Sequence, residues 1–259
     1  MEQLPALFIG HGSPMNALET NSYTEAWSAM GKALPRPRAL LVISAHWFIG
    51  STVVTAMPAP RTIHDFYGFP QALFDVQYPA PGLPELAEEV AELAKPDWVG
   101  ADVDQWGLDH GTWSVLTHMY PEADIPVAQL SINALKPLDY HLQLAAKLAD
   151  LQRRGVLILA SGNVVHNLRT IDWSKPYEGF DWAHRFDAAA EELLTSNPGD
   201  VLKLTEHPDY AKAVLSPDHF IPLLYTAGLA AQSGPLGSFA KGLALGSISM
   251  TSYSSGATP

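Results

Sequence analysis

Two histidines stand where an α/β protein would do chemistry. His11 follows the apolar run Leu4–Ile9 and Gly10, and His46 follows the run Ala39–Ser44 and Ala45. In open α/β sheets, ligands bind beyond the carboxyl ends of the strands. The spacing of the two histidines suits one strand–helix–strand unit of roughly 30 or more residues. If their strands are neighbours, the strand ends lie about 5 Å apart. Two imidazoles then reach one ion at about 2.0–2.1 Å from each nitrogen. The plainer reading of each residue alone is a hydrogen-bonded loop histidine. The pair sets a metal site beside that reading as an equal alternative.

Other histidines lie near the same kind of position. His166 comes a few residues after the apolar run Gly155–Ala160. His110 sits in Leu108-Asp109-His110-Gly111-Thr112-Trp113, where Asp109 either orients a neighbouring imidazole or caps a helix. His219 falls in Asp218-His219-Phe220-Ile221-Pro222, in the first turn of a helix read over Pro217–Leu229. His64 opens an aromatic stretch, 64–70, that either lines a pocket for a flat ring or covers the sheet. His118 and His141 fall inside helical patterns, and His184 and His207 lie in polar stretches. All four read as structural or surface residues.

The elements that must position these side chains alternate between strand and helix. Ala39–Ser44 and Gly155–Ala160 are continuous apolar runs, the pattern of parallel strands buried on both faces. Further strands are predicted at Leu4–Ile9, Thr52–Ala56, Pro126–Ser131 and Gly242–Met250, the last followed by Tyr253. Helices are predicted over Thr20–Leu34, Leu83–Ala94, Leu138–Gln152, Phe180–Leu194 and Pro217–Leu229. Pro58–Pro81 reads as a surface loop, and 255–259 as a frayed tail. Strands separated by helices imply right-handed crossovers. Residues 1–259 are therefore expected to form one α/β catalytic domain, a mostly parallel central sheet flanked by helices.

Composition removes several function classes. There is no Cys among 259 residues, so disulfide scaffolds, thiolate zinc sites, iron–sulfur clusters and Cys nucleophiles are excluded. The net charge of −12 leaves no basic field for nucleic acid. The first residues, Met-Glu-Gln-Leu-Pro, carry no cationic stretch before an apolar run, and no apolar run approaches the roughly 20 residues that span a bilayer. A cytoplasmic protein with neither nucleic-acid nor membrane partners is expected. The motifs HExxH, GxxxxGK[ST], GxGxxG and GxSxG are missing, so zincin, phosphate-loop, dinucleotide and serine-hydrolase readings have no anchor.

Seven segments in order carry a family resemblance: GHGSP (10–14), SAHW (44–47), TIHDFYGFP (62–70), YPAPG (78–82), LDHGTW (108–113), SGNVVHNL (161–168) and DHFIPLLY (218–225). They span nearly the whole chain. The chain resembles the LigB-type (class III) extradiol ring-cleavage dioxygenases, in the 4,5-DOPA dioxygenase extradiol branch. The resemblance implies that a catechol such as DOPA is opened with dioxygen at a mononuclear non-haem metal, giving a muconic semialdehyde. It implies His11 and His46 as metal ligands, and His219 as a third where the defining relatives of the superfamily use a carboxylate. His166 matches the acid–base histidine, which also approaches the metal as a fourth ligand in some metal-bound members. An imidazole with a pKa near neutrality suits proton transfer. His110 matches a substrate-contacting histidine, and it is expected to assist His166 in catalysis. His64, Asp109 and Tyr253 are the further substrate-contact candidates. Fe(II) is expected for activity, although a site of three or four histidines suits Zn(II) as well. A zinc-dependent hydrolase or lyase on the same scaffold is the alternative.

Overall fold

The computed structural model describes residues 3–231 and 233–256. Its strands are β1 (Ala6–Gly10), β2 (Ala39–Ile49), β3 (Val53–Thr55), β4 (Gly100–Asp102), β5 (Val127–Asn133), β6 (Val156–Gly162), β7 (Gly237–Ala240), β8 (Leu243–Ala244), β9 (Ile248–Ser249) and β10 (Ser252–Ser254). Eight of them form one sheet in the order β4-β3-β5-β2-β6-β1-β10-β7. The centre, β5-β2-β6-β1, is parallel throughout. Strands β3, β10 and β7 join it antiparallel. The mixed α/β fold with a mostly parallel sheet is thus as expected.

Burial on both faces explains the continuous apolar runs. Successive strand side chains point to opposite faces. Leu7, Ile9, Leu40, Val42, Leu157 and Leu159 pack on one face with Trp27 and Trp113 from helices Ser22–Ala33 and His110–Met119. Phe8, Leu41, Ile43, Ile158 and Ala160 pack on the other, against helices that include Pro84–Ala94 and Ile221–Ala230. A strand with both faces covered cannot alternate polar and apolar residues without burying unsatisfied polar groups.

Several boundaries differ from the sequence reading. Strands β1 and β2 are not neighbours, because β6 lies between them. β2 runs on to Ile49, past a register shift against β5 between Ile43 and Phe48. The segment read as one strand, Gly242–Met250, is instead the short pair β8 and β9. Leu245 (φ 52°) and Gly246 (φ 78°) turn the chain between them. Tyr253 is on the sheet strand β10, opposite Phe8. The late helix begins at Ile221, so His219 precedes it. Helix Leu138–Gln152 ends earlier, at Lys147, and a separate turn covers Asp150–Arg153. Pro58–Pro81 carries a helical turn at Gln71–Phe74, and its Phe66 and Tyr78 are buried rather than on the surface. Ser255, assigned to the tail, accepts from Ala6 N at 2.8 Å and donates to Ala6 O at 3.0 Å. Residues 257–259 of that tail lie outside the described residues. Among the described residues, no helix is long and apolar enough to cross a membrane.

His141 is a structural histidine, buried on helix Leu138–Lys147 with Nδ1 3.1 Å from the Tyr225 hydroxyl. Burial pushes its pKa down to about 4 from the ordinary 6.5. The folded chain therefore keeps His141 neutral where the unfolded chain protonates it. Its contribution is intact above about 6.5 and is lost as the pH falls toward 4, by at most about 3 kcal/mol. Urea midpoints measured across that window are expected to fall with pH, and to fall less in His141→Gln. Equal slopes in the two proteins would remove His141 from the account.

Candidate metal centre

Each site histidine is delivered by an element with a local reason to place it. His11 leaves the end of β1 with its backbone N–H bonded to Gly162 O at 3.1 Å. Gly12 follows at φ 61°, where a side chain would be strained and would collide with Met250 Sδ. His46 sits within the register shift of β2, where a bulge re-aims side chains beside a site. Beneath it, Gly111 lies in the first turn of helix His110–Met119. A β-carbon there would lie 2.9 Å from His46 Cδ2, so only glycine lets the helix approach. His219 is tied down through its carbonyl, which accepts from Asn163 N at 2.9 Å just past β6. His166 donates its backbone N–H to Ala213 O at 2.8 Å and bridges to Ile248.

The rings of His11, His46 and His219 form a near-equilateral triangle, with centroid separations of 5.1, 5.1 and 5.3 Å. The outer nitrogen of each ring is occupied. Ser161 Oγ donates to Gly111 O, so it accepts from His11 Nδ1 at 2.9 Å. His46 Nδ1 lies 3.1 Å from Asp65 Oδ2, and His219 Nδ1 donates to Asp218 Oδ2. A proton on each Nδ1 leaves a lone pair on each Nε2. Nε2 of His11 and Nε2 of His46 are 3.2 Å apart. At that separation the two nitrogens either share a proton or face a common ion. Nitrogens held about 2.1 Å from one ion at 90–109° stand about 3.0–3.4 Å apart, so the pair fits a metal.

Electrostatics agree with that fit. Burial, followed by the neighbouring imidazoles, drives His11 well below its ordinary pKa. Burial lowers His219 to about 4, against the opposing pull of Asp218. Burial and His46 lower His110. These groups present lone pairs, not protons, at neutral pH. His46 alone is raised, because Asp65 and Asp109 outweigh its burial. Asp65 resists its own burial because His110 and His46 hold it ionised, and His219 does the same for Asp218. Ionised carboxylates behind neutral imidazoles raise ligand basicity and hold ring orientation.

His166 and His110 flank the triangle. The His166 ring stacks on His219 at 3.5 Å and 9°. Burial and the adjacent His219 press its pKa down to about 2. His110 lies 3.8 Å from the His46 ring, and its Nδ1 is 3.0 Å from Asp65 Oδ1. Close donor groupings link His11 with His46 and His110, and His166 with Asp218 and His219. All five histidines line one cavity of about 250 Å³, walled by Phe66, Phe69, Leu168, Ile171 and Trp173.

Three sequence candidates lie off this cavity. Asp109 is fully buried beneath the site, where it caps helix His110–Met119 through Thr112 N and accepts from Ser44 Oγ and Gln129 Nε2. Tyr253 is fully buried in the sheet against Phe8, because β10 continues the sheet. His64 bonds to Val76 O at 2.9 Å and packs on Phe66 and Trp113 behind the wall. Conversely, Asp65, Ser161 and Asp218 belong to the site but were not singled out. The adjacency of Asp65 to His64 and of Asp218 to His219 was the available signal.

His11→Ala and His46→Ala are each expected to abolish stoichiometric metal binding. Asp65→Asn is expected to weaken it about 10- to 100-fold, because the carboxylate orients two rings at once. Metal titration by calorimetry reads both effects. Unchanged affinity in Asp65→Asn would show that the carboxylate does not support the site.

The chain is similar to known proteins along nearly its whole length. The family model described as the catalytic LigB subunit of aromatic ring-opening dioxygenase matches residues 5–248. A protein of Escherichia coli (strain K12) named 4,5-DOPA dioxygenase extradiol is 48% identical over 258 residues, covering 98% of this chain and 95% of that one. A Beta vulgaris protein of the same name is 37% identical over 238 residues, covering 87% of each. A crystal structure of an uncharacterized Escherichia coli K12 protein superposes with a TM-score of 0.85 at 42% identity, covering 98% of this chain and all of that one. The chain belongs to the LigB family of aromatic ring-opening dioxygenases.

Proposed function

We propose that this protein is an extradiol dioxygenase acting on a catechol of the DOPA type at one non-haem Fe(II), with a muconic semialdehyde as product. The observation that carries the reading is a cluster of histidine rings, with Nε2 of His11 and Nε2 of His46 3.2 Å apart, lining a cavity with aromatic walls. His11, His46 and His219 would hold the metal. When bound, it supplies the electron exchange between an electron-rich diol and dioxygen that an uncatalysed reaction lacks. Phe66, Phe69 and Trp173 present flat apolar surfaces to a flat ring and keep water from it. His166 lines the cavity beside His219, where it would take a proton from a catechol hydroxyl and return it as the ring opens. His110, steadied by Asp65, stands on the opposite side as a hydrogen-bond partner for a substrate oxygen. In the overall reaction the carbon–carbon bond beside the diol breaks, and one oxygen atom of dioxygen enters each new terminus. No other oxidant is needed.

The all-nitrogen donor set also suits zinc, which has no redox chemistry. This supports a zinc-dependent hydrolase or lyase as the second reading. Protein loaded anaerobically with Fe(II) is expected to consume one dioxygen per catechol, with growth of a yellow chromophore. Zinc-loaded protein is expected to do neither. Activity that survives strict anaerobiosis and tracks zinc would favour the second reading. His166→Ala is expected to keep metal and substrate binding while turnover drops by about 10²–10⁴-fold. Loss of metal in that variant would make His166 a fourth ligand. Full turnover would remove it from proton transfer.

A further inference from the structure

His166 is held differently from the three proposed metal ligands. One ring nitrogen of each of His11, His46 and His219 has a polar side-chain partner. Among the described residues, nothing hydrogen-bonds the His166 ring, which is placed by its stacking on His219 and by its own backbone. Whatever holds residues 163–167 therefore aims this ring.

Segment 247–249 holds them. Ser249 N donates to Val165 O at 2.9 Å and Asn167 N donates to Ser247 O at 3.1 Å, so both chain neighbours of His166 are pinned. Ser247 Oγ donates to Asn167 O at 2.8 Å, and Asn163 Nδ2 donates to Ser249 O at 2.7 Å. Ile248, bridged to His166, also lines the histidine cavity. Yet β9 is only two residues long, and its partner β8 is no longer. An isolated pair of strands is marginal even when longer, so this one needs a further anchor.

Asp187 supplies the anchor. It lies on helix Asp181–Ser196, which buries Ala183, Phe186, Ala190 and Leu194 in the core. One carboxylate oxygen accepts from Ser249 Oγ at 2.5 Å and the other from Thr251 Oγ1 at 2.8 Å. Hydrogen bonds to a carboxylate are roughly twice as strong as neutral ones. Asp187 makes no ion pair among the described residues, so these hydroxyls are its printed side-chain partners. It does not line the histidine cavity, and it acts on the wall from behind.

We propose that Asp187 is a positioning residue for His166: through Ser249 and Thr251 it fixes segment 247–249, and that segment sets the aim of the His166 ring. This rests on the ring-cleavage reading, in which His166 moves the proton.

The test compares Asp187→Ala, Asp187→Asn, Ser249→Ala, His166→Ala and the double variant Asp187→Ala/His166→Ala, each first shown by thermal melting to be folded. With Fe(II)-loaded protein and catechol, kcat of Asp187→Ala is expected to fall about 10- to 100-fold with KM little changed, because a misplaced proton-transfer group costs turnover rather than binding. Asp187→Asn and Ser249→Ala each leave part of the clamp and are expected to lose less. They carry the test if Asp187→Ala does not fold. Adding Asp187→Ala to His166→Ala is expected to cost nothing further, since the two residues act as one unit. Zinc affinity by calorimetry is expected to be unchanged in the Asp187 and Ser249 variants. In zinc-loaded protein, the NMR signals of the His166 imidazole are expected to shift in Asp187→Asn, while those of His11 and His46 stay. Unchanged kcat in the folded variants, a loss that persists undiminished beside His166→Ala, a matching loss of zinc affinity, or unshifted His166 signals would each overturn the proposal. Full turnover in His166→Ala, or none by wild type, would instead strike the ring-cleavage reading. The imidazole spectra would still decide whether Asp187 places the ring.

Discussion

The near contact of two ring nitrogens, Nε2 of His11 and Nε2 of His46 at 3.2 Å, is the constraint around which the site is arranged. Isolated in water, two imidazoles would separate or take up a proton. Here burial disfavours the proton on His11, and the backbone around each ring prevents separation. The two rings are held facing each other by Ser161 on one side and Asp65 on the other. A rigid sheet serves this, because a common ion needs its nitrogens at fixed positions. The parallel centre β5-β2-β6-β1 supplies that rigidity and ends its strands at the same edge.

The carboxylates complete the arrangement from outside. Asp65 spans His46 and His110, so one side chain couples a proposed ligand to a proposed substrate contact. Asp218 performs the matching task for His219 from the adjacent position in the chain. Asp109 lies deeper and is held protonation-prone by burial, yet its bonds to Ser44, Thr112 and Gln129 knit β2, β5 and the helix His110–Met119 together. Its place beneath the cavity explains why it can be essential to the geometry without meeting a substrate.

Much of this was legible in the linear chain for identifiable reasons. Strands buried on both faces must be continuously apolar, so β1, β2, β5 and β6 stood out, and His11, His46 and His166 could be placed beyond strand ends. Short edge elements such as β4 and β7 carry too few residues to show a period, and they were not recognised. The turn at Leu245 and Gly246 broke an apparent strand in two, because left-handed backbone is required there and the apolar pattern does not reveal it. Tyr253 was misplaced for the same reason: the strand it occupies is short and is defined by its partner β1, not by its own residues.

Residue types alone determined the chemical repertoire: no thiolate, ten imidazoles, a net charge of −12, and apolar strands enough for a parallel sheet. Tertiary structure decided which imidazoles meet. His11 and His46 meet over Ser161 on an intervening strand, not on neighbouring strands, because β6 inserts between β1 and β2 and the bulge in β2 turns His46 back across it. Tertiary structure also decided protonation, since which nitrogen carries the proton depends on partners such as Asp65 and Ser161 that only folding brings within reach. Sequence spacing constrains where a side chain leaves the backbone. It does not encode what lies opposite, and a metal site is defined by what its nitrogens face.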